Sequence, residues 1–240
     1  MKDIDTNVEH RLCVKHLYGN FRKRFPGEAL KEALWRAARC NTIPEFDKAM
    51  ENMKKICEEA WEEMSKHPPG MWSRAHYSTH TNCDLQVNNM CEAFNMAILQ
   101  YRELPIISLI EGIMFYMTNR IVRLMDFMLR YEGDICPIIQ KRLENSKKEV
   151  DGWSPNWSGD MNESLFSVSN GVDQYVVNLM DRTCACRKWQ LSGIPCVHAI
   201  CCIWYNEKAP EDYVSHWYRY VHLNTLSYFV TGKTDFFYVN

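Results

Sequence analysis

Residues 178–205 read NLMDRTCACRKWQLSGIPCVHAICCIWY and contain two close pairs of metal-ligating side chains. The first pair is Cys184 and Cys186, and the second pair is Cys196 and His198. One local turn can hold each pair, and the segment between them can fold the pairs together around an ion. Three thiolates and one imidazole are a ligand set typical of closed, tetrahedral zinc sites. The spacing therefore predicts one structural Zn²⁺ ion bound by these four residues.

Two alternatives to this ligand set remain open. The four residues can fall into this spacing by chance, because the chain has 11 cysteines and 8 histidines. Cys202 lies about one helical turn beyond His198 and can compete with it as the fourth ligand. We favour His198 because its close spacing to Cys196 repeats that of the first pair. Cys201 and Cys202 are expected to pack as apolar residues, as free cysteines usually do.

The composition is ordinary for a soluble globular protein. The 240 residues are 46% hydrophobic and 24% charged, which allows one sizeable domain and a small one. A formal net charge of -2 excludes a global basic field, so nucleic-acid contacts would need local patches. The charged N-terminus has no apolar signal core, so the cysteines are expected to be reduced and partly metal-bound. The longest apolar stretch, residues 106–117, is too short to span a bilayer. We therefore expect a soluble, intracellular protein.

Hydrophobic spacing divides the chain into a helical part and a smaller alternating part. The segment between them is rich in Gly, Pro, Ser, Asn and Asp, which predicts a linker. After it, apolar residues alternate around Asn170-Gly171, a pattern that predicts a β-hairpin leading to Cys184. Pro195 predicts the first turn of a helix that carries Cys196 and His198. We therefore predict an α+β, mainly α chain with a helical region over residues 1–150, a linker over 151–164, a ββα zinc module over 165–206 and a tail over 207–240.

The residues around the ligands resemble one kind of zinc finger. The segment TCACRKWQLSGIPCVHAI, residues 183–200, closely resembles the SWIM zinc finger, whose pattern is C-x-C followed by C-x-H. Trp189 and the Gly193-Ile194-Pro195 segment match its form in plant Mutator-like transposases and in the related far-red-response transcription factors. Other segments resemble that transposase in the same order along the chain: EHRLCVKHLYGNFRKRF (9–25), LWRAARCNTIPEFDKAM (34–50), MWSRAHYSTHTNCDLQVNNMCEAFN (71–95), ICPIIQKRLE (135–144) and PEDYV (210–214).

This resemblance implies a ribonuclease-H-like catalytic domain that is incomplete in this chain. In the family, three carboxylates hold two divalent metal ions for strand cleavage and transfer. The segment NNMCEAFN, residues 88–95, matches the helix that carries the third acid, so Glu92 is the implied remnant of that acid. The family's first two acids precede the segment that begins at Glu9, and Asp3 and Asp5 lack the matching context. We therefore expect a non-enzymatic protein whose residues 1–150 are helices without most of their sheet, with exposed apolar faces and poor solubility.

Three functional hypotheses follow from the resemblance. The leading one is a zinc-binding, truncated or domesticated Mutator-like transposase whose finger contacts DNA or a protein. The second is a DDE-type transposase whose first two acids are missing from this chain, and the third is a far-red-response-like transcriptional regulator. Arg182, Arg187 and Lys188 surround the first ligand pair and are the candidates for phosphate contacts. A nuclear location is expected, and nothing in the sequence indicates a membrane partner or a small-molecule substrate.

Overall fold

The computed structural model describes residues 9–87 and 89–219, which divide into two compact units. Unit 1 contains residues 9–86 and 135–219, and unit 2 contains most of the chain between them. Within unit 1 we call residues 9–86 the helical subdomain and residues 135–219 the zinc module, because each has its own hydrophobic core. Residues 1–8 of the expected helical region and 220–240 of the expected tail lie outside the described residues.

The helical subdomain is built from four helices and two single 3₁₀ turns. Leu34, Met53 and Trp72 are fully buried in its core. This differs from the expectation that helices lacking a sheet would expose their apolar faces: consecutive helices joined by short turns pack against one another instead. The elements are α1 (Val14–Phe21), α2 (Glu28–Arg39), α3 (Ile43–Ile56), α4 (Glu58–Ser65) and the turns Pro69–Met71 and Arg74–His76.

The zinc module combines a small antiparallel sheet with three helices. Its strands lie in the order β1-β2-β3-β4, and the predicted hairpin at Asn170-Gly171 joins β2 to β3. Phe166 pairs with Val177 across this hairpin, and both side chains are fully buried, as the alternating pattern predicted. The elements are α7 (Pro137–Lys148), β1 (Ser154–Trp157), β2 (Leu165–Ser169), β3 (Gln174–Asn178), β4 (Thr183–Cys184), α8 (Lys188–Ser192) and α9 (Val197–Tyr205).

Strand β1 lies within residues 151–164, which we expected to be a linker. It pairs with β2 through a register that sets Pro155 opposite Val168. A proline cannot donate a ladder hydrogen bond and is tolerated on edge strands, where one side of the backbone has no partner strand. Because β1 is an edge strand of loop-like composition, its sequence carries no strand signal. The zinc module therefore has four strands where two were predicted, and over the described residues the chain is mainly helical with one small sheet.

Unit 2 consists of α5 (Asn89–Ala97), a 3₁₀ turn at Leu99–Tyr101 and α6 (Ile106–Leu129). Every residue of α6 is at least partly exposed. Its apolar side chains include Ile107 and Phe115, which are 70% and 66% exposed. The expectation of exposed apolar faces therefore fits this unit, unlike the helical subdomain. Among the described residues, no helix has the length and hydropathy needed to cross a membrane. The ribonuclease-H-like origin of these helices stays a prediction.

The loop between β1 and β2 is organised by one carboxylate. Asp160 accepts hydrogen bonds from the backbone N–H groups of Ser164 and Leu165, from the Ser164 hydroxyl and from the Trp157 indole, at 2.8–3.1 Å. Hydrogen bonds from the Leu165 and Ser164 amides hold the pKa of Asp160 well below its usual range. The charge of Asp160 therefore closes the loop that returns the chain from β1 to β2.

We expect Asp160→Asn to loosen this loop, because one acceptor oxygen is replaced by an NH₂ group that cannot accept these hydrogen bonds. The measurement is amide hydrogen exchange at Ser164 and Leu165, which should be faster in the variant at neutral pH. Since the folded pKa is lowered, the stabilisation in the wild type is present above the unfolded value of about 3.9 and is lost as pH falls below it. The difference between the two proteins should therefore shrink in acid. Asp151→Asn, at an exposed position, is the matched control, and equal exchange in the two variants would refute this role for Asp160.

Candidate metal centre

Strand β4, the turn after it and the start of α9 bring the four predicted ligands together. Cys184 ends β4 and Cys186 follows in the turn, while Cys196 is the N-cap of α9 and His198 lies in its first turn. Their ligand atoms all lie within 4.8 Å of one another, and all four residues are buried. Cys202, the alternative fourth ligand, is fully buried in the core of the zinc module and is not part of this cluster.

The dimensions of the cluster fit a zinc ion. Zn–S bonds of about 2.3 Å and Zn–N bonds of about 2.0 Å place neighbouring ligand atoms of a tetrahedral site roughly 3.5–3.8 Å apart. Nδ1 of His198 lies 3.5 Å from Sγ of Cys184 and 3.9 Å from Sγ of Cys196. All 11 cysteines are free thiols, so no disulfide competes for these sulfurs. Three soft sulfur donors and one imidazole favour Zn²⁺ over the oxygen-preferring cations Mg²⁺ and Ca²⁺.

Crowding of the sulfurs perturbs their protonation. Hydrogen bonds from Cys184 and then Cys196 lower the pKa of Cys186. Burial raises the pKa of Cys196, because a buried thiolate without a cation is poorly solvated. A divalent ion at the centre of the cluster would replace the thiol protons and stabilise all three thiolates. The arrangement is therefore suited to hold a cation.

Two aromatic rings hold the imidazole of His198 in place. The Tyr175 ring stacks on it and the Trp153 ring meets it edge to face, each with a centroid distance of 4.2 Å. Because Nδ1 faces the sulfurs, zinc binding at this atom leaves the ring proton on Nε2. The sequence predicts neither contact: Trp153 lies in the expected linker, and Tyr175 lies in the alternating pattern of the predicted hairpin. Its strand pattern gave no sign of a histidine partner 23 positions later in the chain.

The first ligand is also braced by a side chain from the loop between the two pairs. The Gln190 amide oxygen accepts a hydrogen bond from the N–H of Cys184 at 3.2 Å, and its NH₂ group donates to the carbonyl of Cys184 at 3.1 Å. Both backbone polar groups of this ligand are therefore satisfied by one side chain. Groups that orient metal ligands in this way typically change metal affinity by about 10–100-fold when removed.

The same loop contacts the helical subdomain. Asn82 donates to the carbonyl of Gln190 at 2.9 Å and accepts from the Ser215 hydroxyl at 3.1 Å. Gly193 has φ +67°, and a Cβ at this position would lie 2.8 Å from Cβ of Ser215 and 3.1 Å from Cβ of Asn82. A glycine is therefore required here by both backbone conformation and close approach. The loop that connects the two ligand pairs is thus packed between Ser215 of the zinc module and Asn82 of the helical subdomain.

Arg187 makes three hydrogen bonds across this interface. Its guanidinium donates to the carbonyl oxygens of Asn41 at 3.0 Å, of Tyr77 at 2.8 Å and of Ala75. Burial lowers the pKa of Arg187, but a guanidinium stays charged in proteins, and the carbonyl dipoles compensate for its lost hydration. In this arrangement the cation joins the zinc module to the helical subdomain, directly after the ligand Cys186.

The other candidate residues for nucleic-acid contact have different surroundings. Arg182 and Lys188 are exposed, and Arg182 also lies 5.9 Å from the centroid of the Tyr213 ring. The phosphate-binding role of Arg182, Arg187 and Lys188 stays a prediction, and the contacts of Arg187 with three carbonyls make it the least available of them.

Glu92, the implied remnant acid, is half-buried on α5 in unit 2. It is not among the residues of the metal-binding cluster.

Comparison with known proteins identifies the finger itself. The family model of the SWIM zinc finger matches residues 172–200, which include β4, α8 and all four clustered ligands. Comparison with curated proteins and with solved structures gave no match. Residues 172–200 are therefore a SWIM zinc finger domain with a buried cluster of three cysteines and one histidine.

We expect Arg187→Ala to lower the free energy of unfolding by roughly 2–4 kcal/mol, because three carbonyls lose a charged donor. Urea denaturation measures this, and tryptic cleavage after Arg74 should become faster. Arg187→Lys should restore only part of the loss, since a single ammonium cannot match the fork of the guanidinium. Arg22→Ala, at an exposed position, is the control and should stay within about 0.5 kcal/mol of the wild type. If Arg187→Ala and Arg22→Ala were equally stable, Arg187 would not hold the interface.

Proposed function

We propose that this chain is a zinc-binding protein of Mutator-like transposase descent, in which the SWIM finger binds one structural zinc ion. The observation that carries the zinc part is the buried cluster of Cys184, Cys186, Cys196 and His198, whose ligand atoms lie within 4.8 Å of one another. The finger family supports the same conclusion, because its pattern is defined by these four ligands. The ion would hold β4, the loop and α9 in one arrangement.

The proposed role is structural and non-enzymatic. Three cysteine sulfurs and one histidine nitrogen complete a tetrahedral zinc site, so no position is left for a catalytic water. A small finger cannot bury enough apolar surface to fold firmly alone, and structural zinc supplies about 10–16 kcal/mol of apparent binding free energy at neutral pH. Through Gln190 and Arg187, the same loop also contacts the helical subdomain. Zinc binding would therefore stabilise the interface as well as the finger.

Transposase descent is proposed from the ordered motifs between residues 9 and 218, which resemble plant Mutator-like transposases. We further propose that the protein acts as a truncated or domesticated member that binds DNA or a protein in the nucleus. Exposed cations support a nucleic-acid partner, since phosphate contacts rely on lysine and arginine side chains. The second candidate function is a transcriptional regulator related to the far-red-response factors, because those factors carry a similar finger.

The test of the zinc proposal is metal content. Purified wild-type protein should contain one zinc ion per chain, measured by atomic emission, and Cys196→Ser should lose it because a tetrahedral site cannot close with three ligands. Zinc binding displaces thiol protons, so the affinity of the wild type should fall as pH falls. Amide exchange should rise in the finger of the variant, while the core around Leu34 stays protected.

Cys91→Ser serves as the matched control, since Cys91 is exposed and outside the cluster. This variant should retain one zinc ion per chain. A Cys196→Ser protein with the zinc content of the wild type would contradict the proposed ligand set.

A further inference from the structure

A large groove lies between α2 and α3 of the helical subdomain, and one of its residues, Glu45, also lines a cavity beside the metal cluster. The volume of the groove is about 920 Å³. Basic side chains line both of its walls: Lys31, Arg36 and Arg39 come from α2, and Lys48 comes from α3. In a chain with a formal net charge of -2, this groove is a local concentration of positive charge. None of these residues was a candidate functional residue in the sequence.

Most of these cations are not neutralised by the protein itself. Lys31 forms an ion pair with Glu28 at 2.8 Å. Within the described parts of the chain, Arg36, Arg39 and Lys48 form no ion pair. Of the two acids in the groove, Glu45 accepts hydrogen bonds from the N–H groups of Asn41 and Thr42, which partly compensate its charge. Glu32 is the other acid, so the groove keeps an excess of positive charge.

An aromatic platform lies in the same groove. The guanidinium carbon of Arg39 is 4.9 Å from the centroid of the Trp35 ring, one helical turn earlier on α2. Nucleobases stack on aromatic rings and on guanidinium groups such as these, and this stacking depends little on the base sequence. An acidic peptide would use the cations but gain nothing from a flat platform. The combination of cations with an aromatic platform therefore favours a nucleic acid over an acidic protein.

Stacking on the Trp35 ring favours one strand over two. A base can stack on a side chain where it is unpaired and splayed out, as in a single strand, and not where it is stacked inside a duplex. We propose that this groove binds single-stranded nucleic acid, with Arg36, Arg39 and Lys48 contacting phosphates and the Trp35–Arg39 pair stacking a base. This inference rests on the nucleic-acid binding in the proposed function and moves its surface from the finger to α2 and α3. Arg187, the finger cation held by three carbonyls, is not needed for it.

The experiment uses the full chain loaded with zinc and a fluorescein-labelled single strand of about 16 nucleotides, near the upper site size of single-strand grooves. Fluorescence anisotropy is measured over a series of salt concentrations. The triple variant Arg36→Gln, Arg39→Gln, Lys48→Gln should bind at least about tenfold more weakly at low salt. The slope of log K against log salt should fall in magnitude by about 2, because each lost phosphate contact on a single strand contributes about 0.7.

The matched control removes the same total charge elsewhere. Lys23, Lys141 and Lys148 are exposed, form no ion pair within the described residues and lie outside the groove, so their triple substitution by Gln should keep the wild-type affinity and slope. Unlabelled single strand should displace the probe better than a duplex of the same sequence or polyglutamate.

Three results would overturn the proposal: no binding by the wild type, equal losses in the two triple variants, or displacement by polyglutamate or duplex as effective as by the single strand. Zinc content is measured in every sample. If the zinc content stays at one ion per chain while binding fails, only the groove is rejected. Loss of zinc from the wild type would reject the proposed function instead.

Discussion

The convergence of three cysteine sulfurs and one imidazole on a single buried point is the constraint on which the zinc module depends. Such a cluster is unfavourable without a cation, because a buried thiolate is poorly solvated and neighbouring sulfurs compete for protons. A divalent ion removes this conflict and fixes the geometry of β4, the loop and α9 together. The sheet, the aromatic rings beside His198 and the fully buried residues of α9 are then assembled around a centre whose dimensions are set by metal–ligand bonds.

The loop between the ligand pairs has a second role in the fold. Gln190 orients a ligand through its side chain and contacts the helical subdomain through its carbonyl, and Arg187 reaches three carbonyls of that subdomain. The loop between the ligand pairs is therefore part of the interface between the zinc module and the helical subdomain. This has a consequence for partner binding: a groove with unpaired cations lies on α2 and α3, outside the residues matched by the finger's family model.

The two units differ in how completely they bury their apolar residues. The helical subdomain closes its own core around Leu34 and Met53, whereas α6 of unit 2 leaves large side chains such as Ile107 exposed. Exposed apolar surface on this scale is unusual for a solvent-facing helix. The contrast explains why one expectation about the helical region, drawn for residues 1–150 as a whole, describes unit 2 and does not describe residues 9–86.

Local sequence patterns by themselves determined the metal ligands, the hairpin at Asn170-Gly171 and the helix after Pro195. Each of these depends on residues close together in the chain, where spacing and turn chemistry limit the conformations available. Only the tertiary structure decided that β1 forms from a segment of loop composition and that Trp153 holds His198. It also decided that Arg187 faces three carbonyls more than 100 positions earlier. Such contacts join distant parts of the chain, and a single sequence carries no periodic signal for them.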